Sequence, residues 1–297
     1  MTFHSNHPLR SLVRALVGSV LILSGVSCRT LILEDRSTCP TIIRLRAVPS
    51  LDPEEWAYMK LSLWKDWTDD AEELVRMDEL NEGHDIEWRK EHLFQATALT
   101  GWDGVIEGDG TYLIPYGGEC PTAMGGYVSL PVEGEESYLV DLPVRSLYAN
   151  VFFEISGAAS GYPFDIRVRG AVDGYDLPYL HLHEGPFECA TRTLSYKQRA
   201  CRIPRQDEAV NDAATKAVYA TELKSDFYFQ EETTGQWQKF YSLPLGEIIT
   251  MNGYNWSDAV LEDIHVNIHL ADGSITRLEI TVADWTVVVI GDGKLVI

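Results

Sequence analysis

Sequence patterns that mark several enzyme families are absent from this chain of 297 residues. It has no G-x-S-x-G nucleophile elbow, no H-E-x-x-H zinc motif, no P-loop and no G-x-G-x-x-G after a strand pattern. Its five cysteines include no C-x-x-C pair, so we expect no zinc bound by thiolates. The sequence therefore offers no motif for these activities, and we expect no cofactor.

Basic residues are scarce, since 24 lysines and arginines stand against 45 aspartates and glutamates and give a formal net charge of −21. A surface of this sign repels nucleic acid and anionic lipid headgroups. We therefore expect no nucleic-acid partner. Because hydrophobic residues make up 45% of the chain, it can bury a substantial core and lacks the composition of a disordered protein.

Long hydrophobic runs are also missing, because none reaches the roughly 20 apolar residues of a membrane-spanning helix. The run Ala15–Leu23 is short, follows Arg10 and Arg14, and leads through small residues to Cys28. This order predicts a secretory signal over residues 1–27. A cysteine directly after small residues predicts lipidation of Cys28 and anchoring to a membrane by acyl chains. The alternative is an ordinary signal peptide in which Cys28 merely lies near the cut.

Short alternating segments separated by turn residues dominate the rest of the chain and predict a mainly β fold. The length suffices for two domains, which we place at residues 28–142 and 143–297, each as an antiparallel β-sandwich. Residues 53–95 differ in character. Asp52 and Pro53 resemble a helix start, and the aromatic and aliphatic residues after them keep some helical spacing. This block predicts a helical or irregular insertion in the first domain.

Asp-Gly pairs recur along the chain and favour hairpin turns, because both residues tolerate positive φ. The pairs begin at Asp103, Asp109, Asp173, Asp272 and Asp292. Between them, strands are predicted at residues 41–48, 127–130, 137–142, 148–155, 164–168, 217–221, 226–230, 238–242, 263–270, 278–282 and 285–290. In Asp263–Leu270 apolar and polar residues alternate, so His265 and His269 should face solvent.

Four cysteines follow Cys28, and an even number in an exported protein permits disulfides. They are Cys39, Cys120, Cys189 and Cys201. Cys189 and Cys201 are close in sequence, which favours a disulfide between them. Four reduced, partly buried thiols are the alternative, and the sequence leaves it open.

The segment from His181 to Glu188 contains a His-x-His pair followed by a carboxylate, as in the metal sites of cupin-type enzymes. Strand alternation would put the imidazoles of His181 and His183 on one face. A cupin adds a further histidine after a later Pro-x-Gly motif, but Pro244-Leu-Gly246 is followed by none. A solvent-facing histidine pair is therefore favoured over a metalloenzyme.

Tryptophans offer a second alternative, because a platform of exposed rings could stack on sugars in a glycan-binding lipoprotein of a polysaccharide-uptake system. The candidates are Trp56, Trp64, Trp67, Trp88 and Trp102. Their spacing beside leucines is more typical of a core.

Three short motifs occur together after the signal segment: Ser27-Cys28, Ile32-Leu-Glu34-Asp35 and Cys39-Pro40. Later strand motifs are Leu142-Pro-Val-Arg-Ser, Phe152-Phe-Glu-Ile-Ser and Ile280-Thr-Val-Ala-Asp-Trp285-Thr-Val-Val. Together they resemble the fimbrial anchor lipoproteins of the fimbrillin superfamily in Bacteroidales. The resemblance implies two transthyretin-like β-sandwich domains, lipidation at Cys28 and no catalytic residue.

The resemblance further implies a lipid-anchored anchor, accessory or tip subunit in fimbria assembly and adhesion at the cell surface. Its partners would be other fimbrial subunits and host or bacterial surface ligands. Few residues follow Trp285–Ile290, and Asp292-Gly293 is a turn signal. We therefore expect this tail to fold back on its own domain rather than donate a strand to a neighbour, as suits a subunit at the end of a fimbria.

Overall fold

The computed structural model describes residues 40–65, 68–90, 92–106, 110–133, 136–157, 164–207, 219–231, 233–251, 253–271, 274–282, 285–290 and 294–296. Strands β1 to β10 are Pro40–Val48, Tyr58–Lys65, Thr68–Arg76, His84–Arg89, Leu93–Thr100, Val105–Ile106, Thr111–Leu113, Met124–Pro131, Ser137–Ser146 and Tyr148–Gly157. Strands β11 to β20 are Phe164–Asp176, His181–Ala190, Arg192–Thr193, Gln198–Pro204, Lys224–Gln230, Trp237–Leu243, Ile264–Ala271, Ser274–Val282, Trp285–Ile290 and Lys294–Val296. The helices are α1 (Met77–Glu82) and α2 (Leu245–Met251), with a 3-10 turn at Ala220–Glu222.

The first sheet has seven strands in the order β3-β2-β5-β8-β9-β1-β4. Its strands expose and bury alternate residues. In β1, Ile43 and Leu45 are fully buried and Arg44 between them is exposed. The buried side chains of this sheet form one core, into which Met77 and Leu80 of α1 also pack.

The second and third sheets pack against each other and share a second core. Their strand orders are β13-β14-β10-β17-β18-β19-β20 and β16-β15-β11-β7-β6, with β12 added beside β11. Val151 and Phe153 from the second sheet and Ile166 and Phe227 from the third are buried in one cluster. The rings of Phe153 and Phe227 meet edge to face with centroids 6.1 Å apart. This is the layer arrangement of a β-sandwich.

The mainly β prediction is confirmed. Most predicted strands are present, and β17 pairs with β18 around Asp272-Gly273, although those two turn residues lie outside the described part. Along β17, His265 and His269 are exposed as predicted. The hairpin turn predicted at Asp173-Gly174 is wrong, because both residues lie inside β11, where the register with β12 shifts. The strand predicted at 217–221 is also wrong in its described part, which enters the 3-10 turn.

The helical or irregular insertion predicted at residues 53–95 is wrong. This block contains β2, β3, β4 and the start of β5, and its one helix is the six-residue α1. Asp52 and Pro53 begin a single turn, in which the Trp56 amide donates to the Asp52 carbonyl at 2.9 Å. Met59 and Leu61 are both buried in the first core. Burial of every second residue is the pattern of a strand, not of a helix.

The chain passes from the first sheet to the second at Leu147, between β9 and β10. The boundary predicted between residues 142 and 143 falls within β9. Residues from before that boundary also reach the second core, because Ile114 and Cys120 are buried there. A third cluster, which includes Leu99, Leu147 and Tyr175, lies between the two larger ones.

A buried arginine connects the link between β9 and β10 to the second core. Arg205 is 0% exposed, and its guanidinium donates to the carbonyls of Ser146 at 2.6 Å, Asp258 at 2.5 Å and Trp256. Its Nη1 also lies 3.0 Å from Asp207 Oδ1. Because backbone carbonyls and one carboxylate surround it, this buried charge holds the β9–β10 link against the loop before β17.

A second arginine shares the same carboxylate. Arg145 Nη1 lies 3.0 Å from Asp207 Oδ2. Burial and the neighbouring Arg205 charge lower the pKa of Arg145 to about 10, although Asp207 opposes them. Among the described residues, Asp207 is therefore the carboxylate that pairs with both guanidinium groups, that of the buried Arg205 and that of the mostly buried Arg145.

Neither of the described helices has the length and apolar character that crossing a bilayer requires.

Candidate assembly surface

The predicted lipidation site and one predicted cysteine cannot be placed, because Cys28 and Cys39 lie outside the described residues. The predicted disulfide pair is described. Cys189 on β12 and Cys201 on β14 are free, buried thiols. Cys120 is a third free and buried thiol. The disulfide stays a prediction and is taken up below.

The histidines considered for a metal site are placed on β12. His183 Nδ1 lies 2.7 Å from Asp173 Oδ1 on β11. The ring of His181 packs against Tyr179, with centroids 4.9 Å apart. Glu188 lies on the same strand, with Oε1 3.7 Å from Arg167 Nη1. Across the described residues, no three His, Cys, Asp or Glu side chains are grouped to hold a metal ion.

Most of the tryptophans considered for a sugar-stacking platform pack inward. Trp88 is 5% exposed and meets Phe94 edge to face at 5.2 Å. Trp102 meets two tyrosine rings in the same way. Trp56 packs partly buried against the first core, Trp64 is half-buried, and Trp67 lies outside the described residues. The described members of this set therefore agree with the core interpretation.

The described edges of the three sheets differ in how they are protected from pairing with another chain. The edge strands β6, β13 and β20 are two or three residues long. β3 carries several acidic residues, and its Glu72 pairs with Lys60 of β2 at 2.7 Å. Short and charged edges resist strand addition.

The first sheet also brings its two edges together. His84 on β4 has Nε2 3.0 Å from Glu73 Oε1 on β3 and Nδ1 2.7 Å from Glu79 Oε1 on α1. Burial lowers the pKa of His84, but the hydrogen bonds that its ring makes to the two carboxylates outweigh this effect and leave that pKa raised. Because β3 and β4 end the strand order on opposite sides, this contact shows that the sheet curls until its edges meet.

Two longer edges remain: that of β12, which pairs with β11 and bridges to Gly117, and that of β16. In the described part of the chain β16 pairs with β15 alone. Trp237 at its start is 44% exposed, and Phe229 on β15 is 36% exposed. Phe229 packs on Phe240 with ring centroids 5.6 Å apart. We name Phe229, Trp237 and Phe240 the aromatic hairpin.

A small apolar cavity of about 10 Å³, the size of a single water molecule, lies beside the aromatic hairpin, between the two sheets of the sandwich. It is lined by Ile155, Phe164, Asp165, Phe227, Tyr228, Phe240 and Ile268. The guanidinium of Arg199 lies over the Phe164 ring at 4.6 Å. Exposed edge backbone next to aromatic side chains can pair with a strand of another protein and bury its side chains.

The sequence predicts both strands of this hairpin but not its role as a surface. A local signal for exposure of Trp237 exists, because polar residues, Gln238 and Lys239, follow it rather than leucines. The strand order, which puts β16 at an edge, has no local signal.

Comparisons with known proteins give a fold and no close relative. No family model matches the chain, and no curated protein matches it in sequence. Three solved structures are similar to 86% of it. They are a proposed polysaccharide-binding protein from Bacteroides thetaiotaomicron (10% identity, all of that chain, TM-score 0.55), a proposed adhesin from Bacteroides ovatus (8%, 96%, 0.55) and the fimbrial anchor protein Mfa2 from Porphyromonas gingivalis (12%, 99%, 0.53).

These structures are matched along almost their whole length, so the likeness extends over most of the chain rather than to one sandwich. At identities of 8 to 12% the shared property is the fold.

Proposed function

We propose that this chain is a non-enzymatic, lipid-anchored subunit of a cell-surface fimbria with a role in assembly and adhesion. The observation that carries the proposal is the aromatic edge at β16, which fits the addition of a strand from a neighbouring subunit. The similar solved structures described as an adhesin and as a fimbrial anchor protein support it.

The subunit's place is at an end of the fimbria, as anchor or as accessory or tip component. A repeating subunit must both accept a strand and donate one. Here β20 (Lys294–Val296) pairs with β19 in the register Val288↔Val296 and Ile290↔Lys294. Because β20 is already paired along one side within its own sheet, we expect this segment to stay with its own domain rather than act as a donor, and the protein is better suited to accept.

The anchor is the lipidated thiol of Cys28. The short segment between Cys28 and β1, which begins at Pro40, would keep the folded body close to the outer membrane. Several acyl chains together hold a protein stably to a bilayer.

The test is to isolate the protein from the outer membrane of cells that make it and to identify what accompanies it. Recovery with β-sandwich fimbrial subunits is the expected result. Recovery with a TonB-dependent transporter would instead indicate a glycan-uptake lipoprotein and contradict the proposal. A Cys28→Ser variant is the matched control, because it should leave the membrane fraction while keeping its subunit partners.

The position at the end of a fimbria has its own test. A chain shortened after Ile290 lacks β20 but keeps β19 and the rest of the sandwich. It should fold and capture the same partner subunits as the full chain. If the shortened chain stays folded and no longer joins them, β20 acts as a donor and the terminal position is wrong.

A further inference from the structure

Two buried cysteines face each other across the sandwich. Cys189 lies on β12, which pairs with β11 in the third sheet, and Cys201 lies on β14, opposite Val151 of β10 in the second sheet. Both are 0% exposed and belong to the same core cluster. Their strands come from different sheets, so a bond between them would join the two layers.

The short segment 117–120 holds these strands close together. The Gly117 amide donates to the Glu188 carbonyl at 2.8 Å, and Gly117 bridges to Cys189. Three residues later the Cys120 amide donates to the Arg202 carbonyl at 3.1 Å. The segment is therefore bonded to β12 at one end and to β14 at the other. Residues of β12 and β14 approach within 8 Å between Cα atoms, so the two strands are neighbours across the sandwich.

Each of the three buried thiols has its own neighbours. The Cys120 thiol donates to the Leu147 carbonyl at 3.7 Å. Burial raises the pKa of the Cys201 thiol well above its ordinary value, and a hydrogen bond with the Cys189 side chain adds to the shift. The side-chain partner of the Cys201 thiol is thus Cys189, whereas the Cys120 thiol, which also lies near Cys189, donates to a backbone carbonyl.

We propose that Cys189 and Cys201 form a disulfide between the two sheets of the sandwich in the mature protein, and that Cys120 stays a free thiol. Each thiol loses its proton, one Sγ–Sγ bond forms, and two electrons pass to the disulfide of an exported thiol–disulfide oxidoreductase. The inference rests on the export that the proposed function includes, because such oxidants act outside the cytoplasm.

The burial of the thiols sets when the bond can form. Thiolates carry out disulfide exchange, and a buried thiol with a raised pKa supplies few of them. The bond therefore forms while the chain is folding and the core is open. Once folded, the protein shields it from reductants.

The linkage can be read by peptide mapping of the full-length protein isolated from cells and alkylated while unfolded. Trypsin cleaves after Arg169, Arg192, Arg199 and Arg202. Cys189 then lies in peptide 170–192 and Cys201 in peptide 200–202, and without reduction these two peptides should be found joined. Alkylation of both cysteines would overturn the proposal, as would linkage of either to peptide 91–145, which contains Cys120.

Refolding separates failure of the pairing from failure of export. Reduced, unfolded protein is refolded in a mixture of reduced and oxidised glutathione and mapped in the same way. The 170–192/200–202 linkage is expected here as well. If it forms on refolding but not in cells, the proposal is overturned together with the export on which it rests. If it forms in neither, the pairing itself is wrong and the proposed function is untouched.

Two variants serve as matched controls. Cys120→Ala should keep the linkage in full. Cys201→Ala should abolish the linkage. Cys189 should then be recovered as an alkylated free thiol and not in a disulfide with Cys120. A linkage between Cys189 and Cys120 in the Cys201→Ala protein would show that the three thiols are interchangeable and would contradict the assignment.

Discussion

Arg205 and Asp207 form an ion pair from which solvent is excluded: Arg205 Nη1 lies 3.0 Å from Asp207 Oδ1, and the side chains are 0% and 1% exposed. A buried pair of this kind does not by itself stabilise a fold, because both groups lose their hydration. Its effect is on specificity, since the guanidinium reaches carbonyls on both sides of the β9–β10 link.

Removal of the carboxylate should be costly. Asp207→Asn leaves Arg205 and Arg145 buried without a counter-charge, and loss of one partner of a buried pair costs about 3–5 kcal/mol. Urea unfolding should show this as a lower midpoint. The matched control is Asp141→Asn, whose pair with Arg46 is exposed and should contribute about 1 kcal/mol or less. Equal midpoints for the two variants would contradict the structural role of Asp207.

The stability of the first sheet should depend on pH through His84. Its folded pKa is raised by Glu79 and Glu73, so its stabilising effect is fully present below the unfolded pKa and is lost as pH rises through the folded pKa. The free-energy difference between the parent protein and His84→Gln should therefore be larger at pH 5.5 than at pH 8.5.

His265→Gln is the control for that experiment, because His265 is exposed on β17. Its difference from the parent should be small at both pH values. A His84→Gln difference that does not change with pH would show that the contact between β3 and β4 involves neutral histidine only.

Tryptophan accessibility distinguishes a packed core from a sugar platform. Iodide quenches exposed indoles, and Trp237 is 44% exposed whereas Trp88 is 5% exposed. Trp237→Phe should reduce the intensity of the fluorescence that iodide quenches, and Trp88→Phe should leave that quenchable intensity unchanged. A reduction in the Trp88→Phe protein would mean that this ring faces solvent, and the glycan-binding alternative would regain support.

The aromatic hairpin should carry binding energy for a partner subunit. An exposed tryptophan that becomes buried at an interface is a typical hot spot, and its loss costs about 2 kcal/mol or more, roughly a 30-fold rise in Kd. Trp237→Lys should therefore weaken capture of the fimbrial subunits by about this factor with little change in unfolding midpoint.

Tyr196→Lys is the matched surface change, because Tyr196 is 70% exposed and lies on the turn between β13 and β14. It should bind partners like the parent protein. If both variants bind equally well, the partner does not use the β16 edge.

A segment's secondary structure can be predicted from the sequence where the spacing of its hydrophobic residues fits a strand or a helix but not both. In β17 the polar residues His265 and His269 alternate with buried aliphatic residues, so only a strand fits. Around β2, Trp56, Met59 and Leu63 are spaced three and four residues apart, as on one face of a helix. Met59, Leu61 and Leu63 are spaced two apart, as on one face of a strand, so both periods fit. Pairing of β2 with β3 and β5 decides between the two, and such tertiary contacts override local preference.

The candidate surface was less predictable than the strands that form it. Trp237 is exposed because β16 lies at the edge of its sheet, and strand order is set by contacts between residues far apart in sequence. The proximity of Cys120 to Cys189 arises in the same way, since it depends on the bridge at Gly117.

The most direct test of the account is the mass of the N-terminal peptide of the mature protein isolated from the outer membrane. We predict a chain that begins at Cys28 and carries a diacylglycerol on its thiol, recovered with β-sandwich fimbrial subunits. A mature chain whose Cys28 is absent or unmodified would contradict the lipid-anchored fimbrial subunit proposed here.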